Sequence, residues 1–101
     1  MSQIFVMNAD GSGLTNLTND ASYNRYPMFS PAGDRIAFES NRAGHSQILI
    51  MNADGTQVRV LSDGPGALSA PRFTPDGRRV FYAQDFNGEV KAMAAEVGAK
   101  G

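Results

Sequence analysis

The chain alternates between short apolar runs and clusters of turn-forming residues along most of its length. The best apolar runs lie at 5–7, 36–38, 48–51 and 80–83, and they consist of residues that favour strands. Asp-Gly, Pro-x-Gly and Asn-Gly clusters lie between and beside these runs, and such clusters are typical of tight turns. The pattern predicts an all-β fold of short antiparallel strands.

One segment of the sequence occurs twice, 44 residues apart. QIFVMNADG at 3–11 returns as QILIMNADG at 47–55, and the same offset places 27–36 over 71–80. A repeat of about 40 to 45 residues with roughly four short strands is typical of a β-propeller blade. We therefore interpret the chain as one domain of two four-stranded blades, with repeats at approximately 3–46 and 47–93.

The end of the chain fits this repeat less well. Residues 89–93 match 47–51 if the preceding loop is shortened by two residues, and their low apolar content predicts a weak strand. Residues 94–101 carry neither a strand nor a turn signal, so we expect a disordered tail there.

The apolar runs are continuous, whereas a sheet with one wet face would alternate apolar and polar residues. Both faces of each sheet should therefore be covered, as they are when blades stack around an axis. A ring needs about four or more blades to close. If about five large side chains stayed wet on each end face, at about 1.5 to 3 kcal/mol each, the loss would rival the stability of a domain. We expect oligomerisation to complete the ring.

Composition narrows the possible partners. Nine basic and ten acidic residues give a formal charge of −1, so neither nucleic acid nor a membrane is an expected partner. The chain has no cysteine, which excludes disulfides and thiolate metal sites. Its first residues enter the repeat directly without an export signal, so we expect a cytoplasmic protein.

The order of the motifs resembles a known family. QIFVMNADG at 3–11 is followed by PMFSPAGDRIAFESNR at 27–42, an order similar to the WD40-like repeat called PD40 of TolB-type propellers and prolyl-oligopeptidase relatives. The resemblance covers residue 3 to about 93. It implies that 27–30 and 71–74 are innermost strands and that 14–18 and 58–61 are outermost. TolB relatives are periplasmic, which disagrees with the location expected from the start of the chain.

The same resemblance implies an assembly. The chain would begin with the third and fourth strands of one blade, contain a complete blade at 25–61, and end with the first two strands of another. Residues 3–18 of one copy would then complete the blade begun by 69–84 of a neighbour. TolB-like rings resemble six-bladed propellers, so two blades per chain imply a homotrimer. Residues 89–93 would compete with the neighbour's 3–7, and we expect them to lose.

Seven residues form the candidate site for a ligand or partner. Residues 23–26 differ from their bland equivalents in the second repeat, and tyrosine and arginine are favoured recognition anchors. Together with two further arginines and the single histidine, they would form a binding surface near the central opening: Tyr23, Asn24, Arg25, Tyr26, Arg42, His45 and Arg72. In the alternative, the tyrosines pack between blades and Arg42 bonds loop carbonyls or a carboxylate of the adjacent blade.

The sequence predicts no metal site, cofactor or catalytic residue. His45 has no partner in the sequence pattern that would make it a metal ligand or a base. Asp10, Asp54 and Asp76 each precede glycine in an expected hairpin turn and lack the spacing of a calcium loop. Motifs for nucleophiles, phosphate loops and dinucleotide binding do not occur.

These observations leave three hypotheses. The first is a non-catalytic binding or protein-interaction scaffold that takes a protein, a peptide or a small polar ligand. The second is an enzyme, or a metal or ligand site, formed at the symmetric central channel by residues from several subunits. The third is a piece of a longer propeller without a separate function.

Overall fold

The computed structural model describes residues 2–98, and these residues form three antiparallel sheets. The prediction of an all-β fold is confirmed. The nine strands are β1 (Phe5–Val6), β2 (Thr15–Asn16), β3 (Asn24–Phe29), β4 (Arg35–Ser40), β5 (Gln47–Asn52), β6 (Arg59–Ser62), β7 (Ala67–Phe73), β8 (Arg79–Phe86) and β9 (Glu89–Glu96).

The second sheet is a complete four-stranded blade in the order β3-β4-β5-β6. The first sheet contains only β1 and β2, and the third contains β7, β8 and β9. The predicted outermost strands at 14–18 and 58–61 correspond to β2 and β6, and the predicted innermost strands at 27–30 and 71–74 fall largely within β3 and β7. The chain thus holds one full blade with a partial sheet on either side.

Alternate side chains of the central blade enter two separate cores, which explains why its strands are apolar without interruption. Ile36 and Phe38 of β4 face the first sheet, whereas Ala37 faces the third. The core towards the first sheet consists of Ile4, Ile36, Phe38, Leu49 and Met51. The core towards the third sheet consists of Ala37, Ile48, Ile50, Leu68, Val80 and Val97.

The two outer faces of this three-sheet stack are apolar and exposed. On the first sheet, Phe5, Met7 and Leu14 are each more than half exposed. On the third sheet, Phe81 is half exposed and Val90 is 71% exposed. The pairing of β8 with β9 places Phe81 opposite Ala94 and Ala83 opposite Ala92, so alanines extend that face.

The last strand continues beyond the predicted weak strand. β9 runs to Glu96 and Val97 is buried after it, so the prediction of a disordered tail is wrong for 94–97. Alanines carry little apolar signal, but β9 pairs with β8 at eight positions, and the Val97 amide donates to the Arg78 carbonyl at 2.8 Å. Residues 99–101 of that predicted tail lie outside the described residues.

The predicted two-residue shift in the last strand is also wrong. The registers of β4–β5 and β8–β9 are offset by 44 residues throughout, so 91–95 take the place of 47–51. Asn87 and Gly88 have φ values of 54° and 77°, as a two-residue hairpin turn requires, and this turn replaces the loop at 41–46. In this single chain, β9 therefore holds the position that the ring scheme gives to a neighbour's 3–7.

Candidate functional site

The seven predicted site residues separate into three groups. Tyr23, Arg42 and His45 lie in connections at one end of the sheets, which we call the loop face: residues 17–23, 41–46 and 63–66. Asn24 and Arg25 open the innermost strand of the central blade. Tyr26 and Arg72 lie further along the innermost strands β3 and β7.

Asn24 and Arg42 meet in a buried polar network rather than on an open surface. The Asn24 side chain is buried, its Nδ2 donates to Asp20 Oδ1 at 2.7 Å, and its Oδ1 accepts from Arg42 Nη2 at 3.0 Å. Arg42 also pairs with Asp20 at 3.2 Å and donates from Nε to Ser40 Oγ at 3.1 Å. We call Asp20, Asn24 and Arg42 the polar hub.

The polar hub connects the N-terminal segment to the central blade. The backbone amide of Asn24 donates to the Ser2 carbonyl at 3.0 Å, and Gln3 Nε2 donates to the Asp20 carbonyl at 2.6 Å. Burial raises the pKa of Asp20, but hydrogen bonds from Asn24 and Ser22 and the charge of Arg42 outweigh burial, so the pKa is lowered overall. The hub therefore holds a carboxylate in place as a structural element.

Arg25 is held by a buried carboxylate that the sequence reasoning missed. Glu39 is buried in β4, and its Oε2 accepts from Arg25 Nε at 3.3 Å and from Nη2 at 3.1 Å. Glu39 Oε1 has no hydrogen-bond partner among residues 2–98. The Arg25 guanidinium also lies 5.2 Å from the centre of the Tyr26 ring, within range of a cation–π contact.

A comparison of the two repeats would have signalled Glu39. The position 44 residues later is Ala83, and the equivalents of Arg25 and Tyr26 are Ser69 and Ala70. Residues that differ between repeats and touch one another are not required by the blade framework. Arg25, Tyr26 and Glu39 form such a group.

His45 is paired rather than alone. Its Nε2 lies 2.9 Å from Asp63 Oδ1, and Gln47 Nε2 donates to the other Asp63 oxygen at 2.9 Å. Hydrogen bonds from Gln47 and then His45 lower the pKa of Asp63. The arrangement joins two connections of the loop face. Tyr23, in the connection at 17–23, is half exposed, and its backbone is bonded to Asn41.

Tyr26 and Arg72 line one cleft between the innermost strands of neighbouring sheets. The cleft has a volume of about 260 Å³ and is lined by two triplets that lie 44 residues apart, Tyr26-Pro27-Met28 and Ala70-Pro71-Arg72. We call it the interblade cleft. Each triplet lies at a register shift in its strand, and both Tyr26 and Ala70 have positive φ, 55° and 56°.

This backbone conformation is unusual for the residues that adopt it. Side chains other than glycine, asparagine and aspartate rarely take positive φ, and a following proline favours extended backbone instead. Strained residues of this kind often occur at binding sites. Because the bulge turns the strand at the cleft, it also leaves the Tyr26 side chain half exposed.

The acidic turns follow the hairpin interpretation. Asp54 Oδ1 accepts from the Thr56 amide at 3.0 Å, and Asp10 bonds the Ser12 amide in the same way. In Asp76 the carboxylate accepts from the Arg78 amide at 3.0 Å. Within residues 2–98, no three His, Cys, Asp or Glu side chains are grouped so that they could hold a metal ion.

A complete four-stranded antiparallel sheet is stacked between two partial sheets, and the bulge in its innermost strand recurs 44 residues later. These features define the chain as part of a β-propeller. The family model of the TolB β-propeller domain, PD40, matches residues 1–101, so the chain belongs to this family. The resemblance to the PD40 repeat is thereby confirmed. No curated protein matches the chain.

Two solved structures show the relationship in three dimensions. A candidate TolB protein from Agrobacterium tumefaciens is 26% identical over 94% of this chain, with a TM-score of 0.83. TolB from Acinetobacter baumannii is 19% identical over 96% of this chain, with a TM-score of 0.80, and shows the fold alone. The chain spans 37% and 25% of these two proteins.

The comparisons give no support to the expected cytoplasmic location. That expectation depends on the first residues of the chain. Because the chain spans only part of its relatives, these residues carry no information about export. Residues 2–98 contain no helix with the length and apolar content needed to cross a membrane.

Proposed function

We propose that this chain is a non-catalytic binding scaffold of the TolB type, which presents its interblade cleft and loop face to a peptide, a protein or a small polar ligand. The observation that carries this proposal is the pairing of exposed Tyr26 and Arg72 at one cleft. Both residue types are common recognition anchors. Tyr23 and Arg25 lie close to Tyr26 in the chain and extend the surface towards the loop face.

The other predicted residues support this surface indirectly. The side-chain polar groups of Asn24 and Arg42 are hydrogen-bonded within the polar hub, and His45 Nε2 is hydrogen-bonded to Asp63. We therefore assign them to the positioning of the loop face, whose open side chains contact the ligand. Membership in the TolB family favours the periplasmic location that the resemblance implies.

We further propose that several copies of the chain complete one ring, with three copies for six blades. The exposed apolar faces of the first and third sheets support this proposal, because each central-blade face of the same repeat is covered by a neighbouring sheet. Covering Phe5, Met7 and Leu14 alone would contribute about 1.5 to 3 kcal/mol for each side chain. In such a ring the neighbour's first sheet either displaces β9 or pairs with its outer edge.

Native mass spectrometry at micromolar concentration tests the ring. We expect a species of three chains, and Phe5→Asp should convert it to the 10.8 kDa monomer because a charge replaces an apolar contact. Ala43→Asp, on the exposed loop at 41–46, is the matched control and should leave the assembly intact. A folded monomer in the unsubstituted chain would refute the shared ring.

The binding role is tested separately with substitutions at the cleft. Tyr26→Asn removes the aromatic ring, and asparagine tolerates the positive φ at that position. We expect this variant to fold and to lose binding of any partner captured by the unsubstituted chain, whereas Val58→Asn, an exposed position at the other end of the sheets, should retain it. Equal binding by both variants would count against the cleft as the binding surface.

A further inference from the structure

The interblade cleft carries one uncompensated positive charge on apolar walls. Its lining consists of one tyrosine, two prolines, a methionine, an alanine and Arg72, so Arg72 is its single charged residue. No hydrogen bond or ion pair joins the Arg72 guanidinium to another side chain or carbonyl in the described part of the chain, and the residue is exposed. The cleft itself contains no carboxylate.

Arg25, the other arginine close to the cleft, is neutralised. Glu39 Oε2 accepts two hydrogen bonds from Arg25, and Glu39 is 5% exposed, so this ion pair is shielded on one side. The positive charge that remains unpaired at the cleft is therefore that of Arg72. A guanidinium presents a planar fork of donors that matches the two oxygens of a carboxylate.

The walls of the cleft determine which chemical group the ligand carries beside its carboxylate. Tyr26 is half exposed and Met28 is 39% exposed beside two rigid prolines, so the cleft offers an aromatic ring and a thioether without a further donor cluster. Such a surface favours an apolar group, and a volume of about 260 Å³ accommodates one group of side-chain size. An apolar group next to a carboxylate satisfies both the walls and Arg72.

The backbone holds the two walls of the cleft in equivalent positions. Both walls are built on the same strained bulge, with positive φ at Tyr26 and Ala70, but only one wall carries the aromatic ring and only the other carries the arginine. The repeat thus supplies two equivalent positions with different side chains. Their difference creates a site with one apolar side and one cationic side.

We propose that the interblade cleft binds small organic carboxylates that carry an apolar group, with Arg72 as the anchor for the carboxylate and Tyr26 as the platform for the apolar group. This inference names the ligand class of the binding surface in the proposed function and rests on that function. It requires no residue of the polar hub to touch the ligand.

The probe is 3-phenylpropanoate, with the neutral 3-phenylpropanamide as its matched control. Titration of the ¹⁵N-labelled chain, followed by amide resonances, should show saturable shifts at 25–29 and 69–73 for the carboxylate. The amide should bind about tenfold more weakly, because it lacks the charge-assisted hydrogen bonds to Arg72. Equal affinity for the two probes would overturn the proposal.

Four variants locate the two contacts. Arg72→Gln should weaken binding of the carboxylate about tenfold and leave the amide unchanged, whereas Arg78→Gln, on the opposite end of the sheets, should change neither. Tyr26→Asn should weaken both probes, and Val58→Asn, an exposed apolar position in the connection before β6, should weaken neither. An unchanged carboxylate affinity in Arg72→Gln, or shifts confined to other residues, would also overturn the proposal.

Salt gives a second measurement that needs no variant. Raising the salt concentration should weaken 3-phenylpropanoate and leave 3-phenylpropanamide unaffected, because an exposed arginine is screened. Binding of the two probes is expected whether or not several chains assemble into a ring. A chain that assembles and ignores both probes contradicts this inference alone, whereas a monomer that binds the carboxylate contradicts only the shared ring.

Discussion

Replacement of Asn24 by alanine should release the N-terminal segment from the central blade without unfolding the rest of the chain. Asn24 is 1% exposed, and its side chain bonds both charged members of the polar hub, Asp20 at 2.7 Å and Arg42 at 3.0 Å. Alanine keeps the backbone bond from residue 24 to Ser2. It removes the two bonds to the charged groups and two longer bonds that Asn24 Nδ2 donates to the carbonyls of Ser22 and Ser2, at 3.3 and 3.5 Å. The remaining Asp20–Arg42 pair is about one-third exposed on each side, so solvent weakens it.

The size of the effect follows mainly from the two bonds to the charged groups of Asp20 and Arg42. Hydrogen bonds to charged groups contribute about 1.5 to 3 kcal/mol each, and partial exposure of both partners favours the lower end of this range. We therefore expect a loss of about 3 kcal/mol in the free energy that holds the N-terminal segment in place. Since about 1.4 kcal/mol corresponds to a factor of ten, the population of the open segment should rise about a hundredfold.

Amide hydrogen exchange measures this opening directly. The Leu17 amide donates to the Ile4 carbonyl at 2.8 Å and reports on the first sheet, whereas the amides of β4 and β5 report on the central blade. Protection at Leu17 should fall about a hundredfold in Asn24→Ala, with much smaller changes in β4 and β5. Asn52→Ala, which loses one exposed bond to Thr56, is the control and should leave Leu17 unchanged.

Two results would refute this reasoning. Unchanged protection at Leu17 would mean that apolar packing of the first sheet alone holds the segment. An equal fall at Leu17 and throughout β4 and β5 would mean that the hub stabilises the whole chain rather than one boundary. Either result would also remove the structural role that we assign to Asn24 and Arg42.

Two further predictions concern stability. Gly66→Ala should prevent folding or destabilise the chain severely, because a Cβ there would clash with the Asp85 carbonyl oxygen. Gly88→Ala, also at positive φ but with open space around it, should cost only about 1 to 2 kcal/mol in urea denaturation. Similar losses would contradict the steric argument. Asp63→Asn tests a lowered pKa. Hydrogen bonds from Gln47 and His45 hold the pKa of the folded Asp63 carboxyl below its usual value. The carboxylate therefore contributes stability above the usual pKa and loses this contribution as pH falls through the folded pKa. The urea midpoint of the unsubstituted chain should therefore fall more between pH 7 and pH 3 than that of the variant, and parallel midpoints would refute the role of Asp63.

The arrangement of strands could be read from the sequence because it depends on local features that recur. Each Asp-Gly or Asn-Gly cluster limits the backbone to a turn, and each apolar run must leave water on both faces. The last strand was harder, since Ala92, Ala94 and Ala95 contribute little apolar signal. Its register is fixed instead by the turn at Asn87 and Gly88, which aligns β9 with β8 over eight pairs.

The candidate site was only partly predictable, because its chemistry depends on partners that are distant in the chain. Arg25 attracts attention in the sequence, but its state is decided by Glu39, 14 residues later on the next strand. His45 looks isolated until the fold brings Asp63 within 2.9 Å. Composition identifies charged and aromatic residues without showing which of them already have partners.

A repeat protein offers an internal comparison that separates these cases. Where the two repeats agree, as at Pro27 and Pro71, the residue serves the blade itself; where they differ, the blade does not require the difference. Asn24 differs from Leu68 and anchors a boundary, whereas Tyr26 differs from Ala70 and remains half exposed. Burial therefore distinguishes the two kinds of exception: a buried one holds neighbouring sheets together, and an exposed one is available to a ligand.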